Sequence, residues 1–199
     1  MGDVDGGLRV VLLGAPGSGK GTQAALLSRR LGIPAISTGE LLREAVALKN
    51  GLGERVASVL ASGQLVADDL MAEVVRERLS RADVRSGFLL DGYPRNAAQA
   101  ATLERLLLEN GRSLDAAILL RVPQATLLKR ALGRGRQDDS EAVIGERLRL
   151  YAEKTMPLVG YYGERGLLRE VDGDRPVGEV TSELLAALGR EEGGQAARA

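Results

Sequence analysis

The residues best suited to chemistry stand close together near the N-terminus, in LLGAPGSGKGTQ, positions 12–23. Gly14, Gly17, Gly19 and Gly21 let a backbone turn tightly and aim its N–H groups inward. Lys20 adds a point charge beside them. That combination suits phosphate, and the spacing nearly fulfils G-x-x-x-x-G-K-[ST]. Gly14, Gly19 and Lys20 fit it; Gly21 follows the lysine, and the hydroxyl arrives one place late at Thr22. A purely structural strand-to-helix turn would explain a lone G-x-G. It does not explain strand, Gly14, Gly19, Lys20, hydroxyl and helix in one stretch. Gly17, Ser18, Gly19, Lys20, Gly21 and Thr22 are therefore the candidate phosphate-binding residues of a nucleotide site.

A second chemical cluster is FLLDGYPRNAAQA, positions 88–100. Three apolar residues lead to Asp91, a carboxylate able to hold magnesium through water. Gly92 allows close approach, Pro94 stiffens the turn, and Arg95 directs a planar fork at phosphate. Gln99, four residues on, offers an amide that can read the edge of a base. The plainer alternatives are a surface ion pair for Asp91 and Arg95 and a solvated position for Gln99.

Composition narrows the chemistry. The 199-residue chain has no cysteine and no histidine. Disulfides, thiol chemistry, cysteine-bound zinc and Ser-His-Asp catalysis are all excluded. Of 27 basic residues four are lysines, leaving 23 arginines, and these balance 27 acids to a net charge of zero. Such balance gives no general attraction to nucleic acid or an anionic membrane. MGDVDGG is not a signal peptide, and no apolar run approaches the ~20 residues of a membrane span. A soluble cytoplasmic protein is the expectation.

The elements that must position these residues alternate between apolar runs and helical patterns. Strands are predicted at 8–13, in IPAIS, at 87–92, at 116–122 and at 167–171. A helix begins near Lys20 and stops at Gly32; the last one follows Pro176 and ends before Gly189. Continuous apolar strands between helices imply an α/β fold, a parallel sheet with helices on both faces and ligands at the strands' carboxyl ends. Two stretches break the rhythm: 38–80, mostly helical and long for one crossover, and LGRGRQDDSE at 132–141, polar and without an apolar face.

GAPGSGKGTQ, with Gly-Thr after the lysine, resembles the phosphate loop of adenylate kinases and their nucleoside-monophosphate kinase relatives, and the resemblance runs from Leu8 to Leu188. It implies a P-loop NTPase-type five-stranded parallel sheet, with a core of 8–36, 81–132 and 140–188. It also implies a monophosphate-binding insertion at 37–80, a short lid at 133–139, and flexible ends at 1–7 and 189–199. STGELLR resembles the start of that insertion; Thr38 would lie beside the acceptor base and Arg43 would grip its phosphate. Thr38 has a plainer reading as a helix cap. In GQLV, the backbone of Gln64, Leu65 and Val66 would meet the base. The family pattern Asp-Gly-Phe-Pro-Arg-Thr-x-x-Gln places Gly92, Tyr93, Pro94, Arg95 and Gln99 on the acceptor.

In the segment from Lys129 to Tyr151, Arg130 would stack on the ATP base and Arg134 would hold ATP phosphate. Arg136 and Arg147 would clamp the transferring group, with Asp138 and Asp139 positioning lid arginines or the metal's water. Near Arg175 the backbone would meet the ATP base. The resemblance thus implies ATP + AMP ⇌ 2 ADP with magnesium, no zinc, and a monomer. Lys20, Arg95, Arg134, Arg136 and Arg147 would surround the phosphoryl group. Two alternatives stay open. Asn96 replaces the pattern's Thr as in uridylate/cytidylate kinases, although those usually lack Gln99 and carry Ala at position 38. A nucleotide-binding switch without turnover also fits the first loop, but no Asn-Lys-x-Asp is present and no expected arginine is lost.

Overall fold

The structure is a computed structural model that describes residues 7–135 and 140–190. Five parallel strands form one sheet in the order β2-β3-β1-β4-β5. They are β1 (Leu8–Leu13), β2 (Ala35–Ser37), β3 (Gly87–Asp91), β4 (Ala116–Arg121) and β5 (Leu168–Asp172). Between β1 and β2 lies α1 (Lys20–Leu31); between β2 and β3 lie α2 (Thr38–Ala47), α3 (Gly51–Ala61) and α4 (Asp68–Leu79). Next come α5 (Ala97–Leu108) before β4, then α6 (Gln124–Gly133), α7 (Glu141–Leu150), a π-helical turn (Tyr151–Thr155) and α8 (Leu158–Glu164) before β5. The last element, α9 (Val177–Ala187), follows β5. The expected α/β class and parallel five-stranded sheet are borne out.

The period-two geometry of β1 divides the core. Val11 and Leu13 face one side, with Phe88, Leu90, Leu103, Leu119 and Tyr162. Val10 and Leu12 face the other, with Leu27, Leu89, Ile118, Leu120 and Leu184. Both faces are covered, so the central strands are largely apolar, Val10–Leu13 in β1, Phe88–Leu90 in β3 and Ala116–Leu120 in β4, with the buried Arg9 as the exception inside β1. The register sets Asp91 beside Leu12 of β1 and Ser37 of β2. Three chemical segments, beginning at Gly14, Thr38 and Asp91, therefore leave the sheet at one end. Among the described residues no helix is long and apolar enough to cross a membrane.

Gln23 closes the signature loop's sequence but turns away from phosphate chemistry. It is 3% exposed, donates from Nε2 to the Val177 carbonyl at 3.0 Å, and accepts the Thr181 hydroxyl at 2.8 Å. It ties α1 to the start of α9. Gln23→Leu leaves Thr181 without this acceptor and is expected to cost about 1–3 kcal/mol in urea denaturation. A loss below about 0.5 kcal/mol, the size of an ordinary surface change, would show that the amide is no support.

Candidate functional site

The phosphate loop turns through three glycines with positive φ: Gly14 at 151°, Gly17 at 87° and Gly19 at 92°. At two of them space adds to conformation. A Cβ on Gly14 would stand 2.5 Å from Ser18 Oγ, and one on Gly17 would run into the Leu127 carbonyl. Gly19 is the N-cap of α1 and supplies no side-chain cap. The first N–H groups of α1 therefore have no side-chain acceptor at the cap, and together with the helix dipole they make an anion seat. Lys20 Nζ donates to the carbonyls of Gly14 at 2.7 Å and Ala15 at 3.0 Å and lies 3.5 Å from Ser18 Oγ. The ammonium thus braces the loop that it charges.

The loop borders a cavity of about 730 Å³, large enough for nucleotide-sized ligands. Arg43, Arg95, Arg130, Arg134, Arg147 and Arg175 border it too, as does Asp91. Arginines separated by more than a hundred residues converge because α2, the β3–α5 turn, α6, α7 and the β5–α9 turn all open on the same end of the sheet. Arg95 is the most constrained of them. Its Nε donates to the Gly92 carbonyl at 2.8 Å. Burial pushes its pKa down; Asp91 opposes that shift, while Arg147 and Arg43 add to it. Like charges held together in this way mark a place built for an anion.

Several side chains differ from the plain expectation. Ser37, not Thr38, caps α2, accepting from the Glu40 N–H at 3.4 Å. Two adjacent hydroxyl residues look alike in sequence, but Ser37 is the one in extended backbone. Thr38 is 1% exposed, and its hydroxyl reaches the Asp91 carbonyl at 3.4 Å. Gly92 (φ 86°) passes so close that a Cβ there would be 2.7 Å from Thr38 Oγ1. Gln99 is not solvated: it is 2% exposed. With Thr38, Gln64, Leu65, Val66, Gly92 and Arg95 it borders a small second recess of about 20 Å³. Tyr93 borders neither cavity; its ring packs in the core, and burial pushes its pKa up to about 12. Arg136, Asp138 and Asp139 lie outside the described residues.

The lid-side arginines are held by neighbours. Arg130 donates to the Gly173 carbonyl at 2.9 Å and pairs with Asp174 at 3.2 Å. Arg147 donates to the Leu60 carbonyl at 3.4 Å, and Arg175 pairs with Asp172 and Glu183. Gln64 donates to Glu146 at 2.6 Å, joining the α3–α4 turn to α7. Glu146 is held at about 2, first by Arg149 and then also by Gln64. Thr155, in the π-helical turn, was not anticipated. It borders the large cavity and donates its hydroxyl to the Arg95 carbonyl at 2.9 Å. No motif announces it, since the contact spans 60 residues.

A phosphate loop of this geometry on a parallel sheet, facing an arginine-lined cavity, defines the class of P-loop nucleotide-binding α/β proteins. The sequence profile of the adenylate kinase family matches residues 12–167. The adenylate kinase of Kocuria rhizophila is 47% identical over 186 residues, 92% of this chain and 99% of the relative. Those of Xylella fastidiosa (46% over 186 residues) and Xanthomonas campestris (47% over 187) are covered in full by 92% of the chain. The chain belongs to the adenylate kinase family.

Proposed function

We propose that the protein catalyses reversible phosphoryl transfer from ATP to AMP, giving two ADP, and so balances the adenine nucleotides. The observation that carries this reading is one cavity bordered by both the phosphate loop and Arg43, Arg95 and Arg147, with Asp91 near each group. ATP would lie with its phosphates on the backbone of residues 17–22 and on Lys20, its base against Arg130 and the backbone near Arg175. AMP would place its phosphate on Arg43 and Arg95 and its base toward Thr38, Gln99 and the backbone of 64–66. Gly92, Tyr93 and Pro94 would shape that side, Tyr93 through its backbone alone.

Such a transfer asks a protein for alignment and charge stabilisation more than for covalent chemistry. Lys20, Arg95, Arg134, Arg136 and Arg147 would neutralise charge on the moving group, so the absence of histidine costs nothing. Among the described residues no cluster of three acids, histidines or cysteines could cage a metal. A magnesium ion carried mostly by phosphates and water, with Asp91 as its protein carboxylate, fits this donor set and would supply further neutralisation. The recess beside Gln99 has room for about one water, so the segment 37–80 would move outward to admit a base and close over it with the lid at 133–139. Closure would exclude water, the competing acceptor. The family reading carries action as a monomer and a cytoplasmic location with it.

Asn96 no longer favours the uridylate/cytidylate reading. It caps α5, accepting from the Gln99 N–H at 2.8 Å, and donates to Asp68. In an acceptor screen with ATP as donor, AMP is expected to lead UMP and CMP by orders of magnitude. Faster turnover of UMP or CMP would reverse the assignment, and no ADP from ATP, AMP and magnesium would sink the reading. Thr38→Ala and Gln99→Leu are each expected to erode that preference roughly tenfold or more while leaving the KM for ATP unchanged.

A further inference from the structure

The Gln99 amide is held at both ends. Its Oε1 accepts the Arg95 N–H at 2.8 Å, and its Nε2 donates to Asp68 Oδ1 at 2.7 Å. Asp68, exposed at the first position of α4, is in turn gripped by Asn96, whose Nδ2 reaches both carboxylate oxygens at 3.1 and 3.2 Å. Asn96 Oδ1 closes the triangle on the Gln99 N–H. Turning the amide over would set NH₂ against the Arg95 N–H and oxygen against a carboxylate, losing two bonds and adding two repulsions. One acceptor lone pair and one N–H remain for a ligand, in a fixed order.

We propose that Asp68 is a positioning residue for acceptor choice, fixing the face that the Gln99 amide offers to the base. The proposal rests on the reading above that Gln99 meets the acceptor base. Adenine presents an N6 donor where guanine presents an O6 acceptor. An amide of fixed orientation can match one of these and must oppose the other. An amide free to turn matches either. The selectivity of Gln99 therefore depends on a residue that touches no nucleotide.

The test is the ratio of kcat/KM for AMP to that for GMP, with ATP as donor. Asp68→Ala is expected to lower it about tenfold, since Arg95 still holds one end of the amide. Asp68→Asn keeps an oxygen in the Oδ1 position, which already takes bonds from both Gln99 and Asn96, and is expected to restore the ratio. Asp69→Ala removes a charge from the same helical turn without touching Gln99, and should leave the ratio alone. Gln99→Ala should lower the ratio, and adding Asp68→Ala to it should change nothing more. Asp68→Ser, which keeps a polar helix start but falls short of Gln99, is run in parallel in case alanine frays α4. An unchanged ratio in both Asp68→Ala and Asp68→Ser, with Gln99→Ala lowering it, overturns the proposal and leaves the reading of Gln99 standing. Additive losses in the double variant, or an equal loss in Asp69→Ala, also overturn it. No effect of Gln99→Ala overturns the reading of Gln99 and the proposal together.

Discussion

Lys20→Met is expected to lower kcat about a thousandfold while weakening ATP binding only about tenfold. The two effects separate because Lys20 has two jobs. In the free loop its ammonium holds the carbonyls of Gly14 and Ala15. Methionine fills similar volume but gives those carbonyls no donor, so the loop loses about 1–3 kcal/mol of support. For a chain of this length that is a drop of several degrees in melting temperature. The larger effect belongs to the transition state, where charge gathers on the transferring oxygens. An interaction made only there lowers kcat and kcat/KM together. Steady-state kinetics with ATP titration by calorimetry separate the roles. If ATP affinity falls a hundredfold and kcat holds, Lys20 shapes the loop and binds ground and transition states alike.

The sheet and the phosphate loop were legible because their signals are local. Leu8–Leu13 is apolar but for Arg9 and ends at Gly14, and α1 stops at Gly32, which takes the left-handed conformation expected of a helix end. Edges were less exact. The second strand starts at Ala35, after Pro34, which has no N–H to give a ladder; its carbonyl still accepts from Leu89 at 2.9 Å. The fifth strand runs one residue later than its apolar pattern, because Asp172 pairs in register with Arg121.

Contacts between distant segments left no trace in the sequence. Asp68 reads as an ordinary acid at a helix start, and nothing in ADDL points 31 residues on to Gln99. Asn96 reads as a substitution within a motif, although its cap and its bond to Asp68 explain it. The cap read at Thr38 falls to Ser37 for the same reason. Which hydroxyl caps a helix depends on where the chain leaves β2, and the other one turns to the carbonyl of Asp91.

Arg95→Met is expected to abolish most AMP-dependent turnover and to stabilise the protein. Arg95 lies against Gly92 and Thr155, and its guanidinium shares its surroundings with Arg43, Arg147 and Asp91. Its lowered pKa means that the fold disfavours its charge: burial and two like charges outweigh the attraction of Asp91. Methionine removes that cost and keeps much of the packing volume. It sacrifices the hydrogen bond to the Gly92 carbonyl, while the backbone bonds of Arg95 to Gln99 and Thr155 are untouched. A rise of a few degrees in melting temperature is expected without ligand, together with a fall of about a thousandfold in kcat/KM for AMP and no change in ATP affinity. The stabilising effect of AMP on the melting temperature should shrink as well, since an anion is what offsets these clustered charges. Arg95→Lys keeps a charge but not the planar fork, and is expected to recover stability no better than the parent and activity only in small part. If Arg95→Met melts several degrees lower and still transfers phosphate at near the parent rate, Arg95 is a structural arginine and the phosphoryl group is held elsewhere.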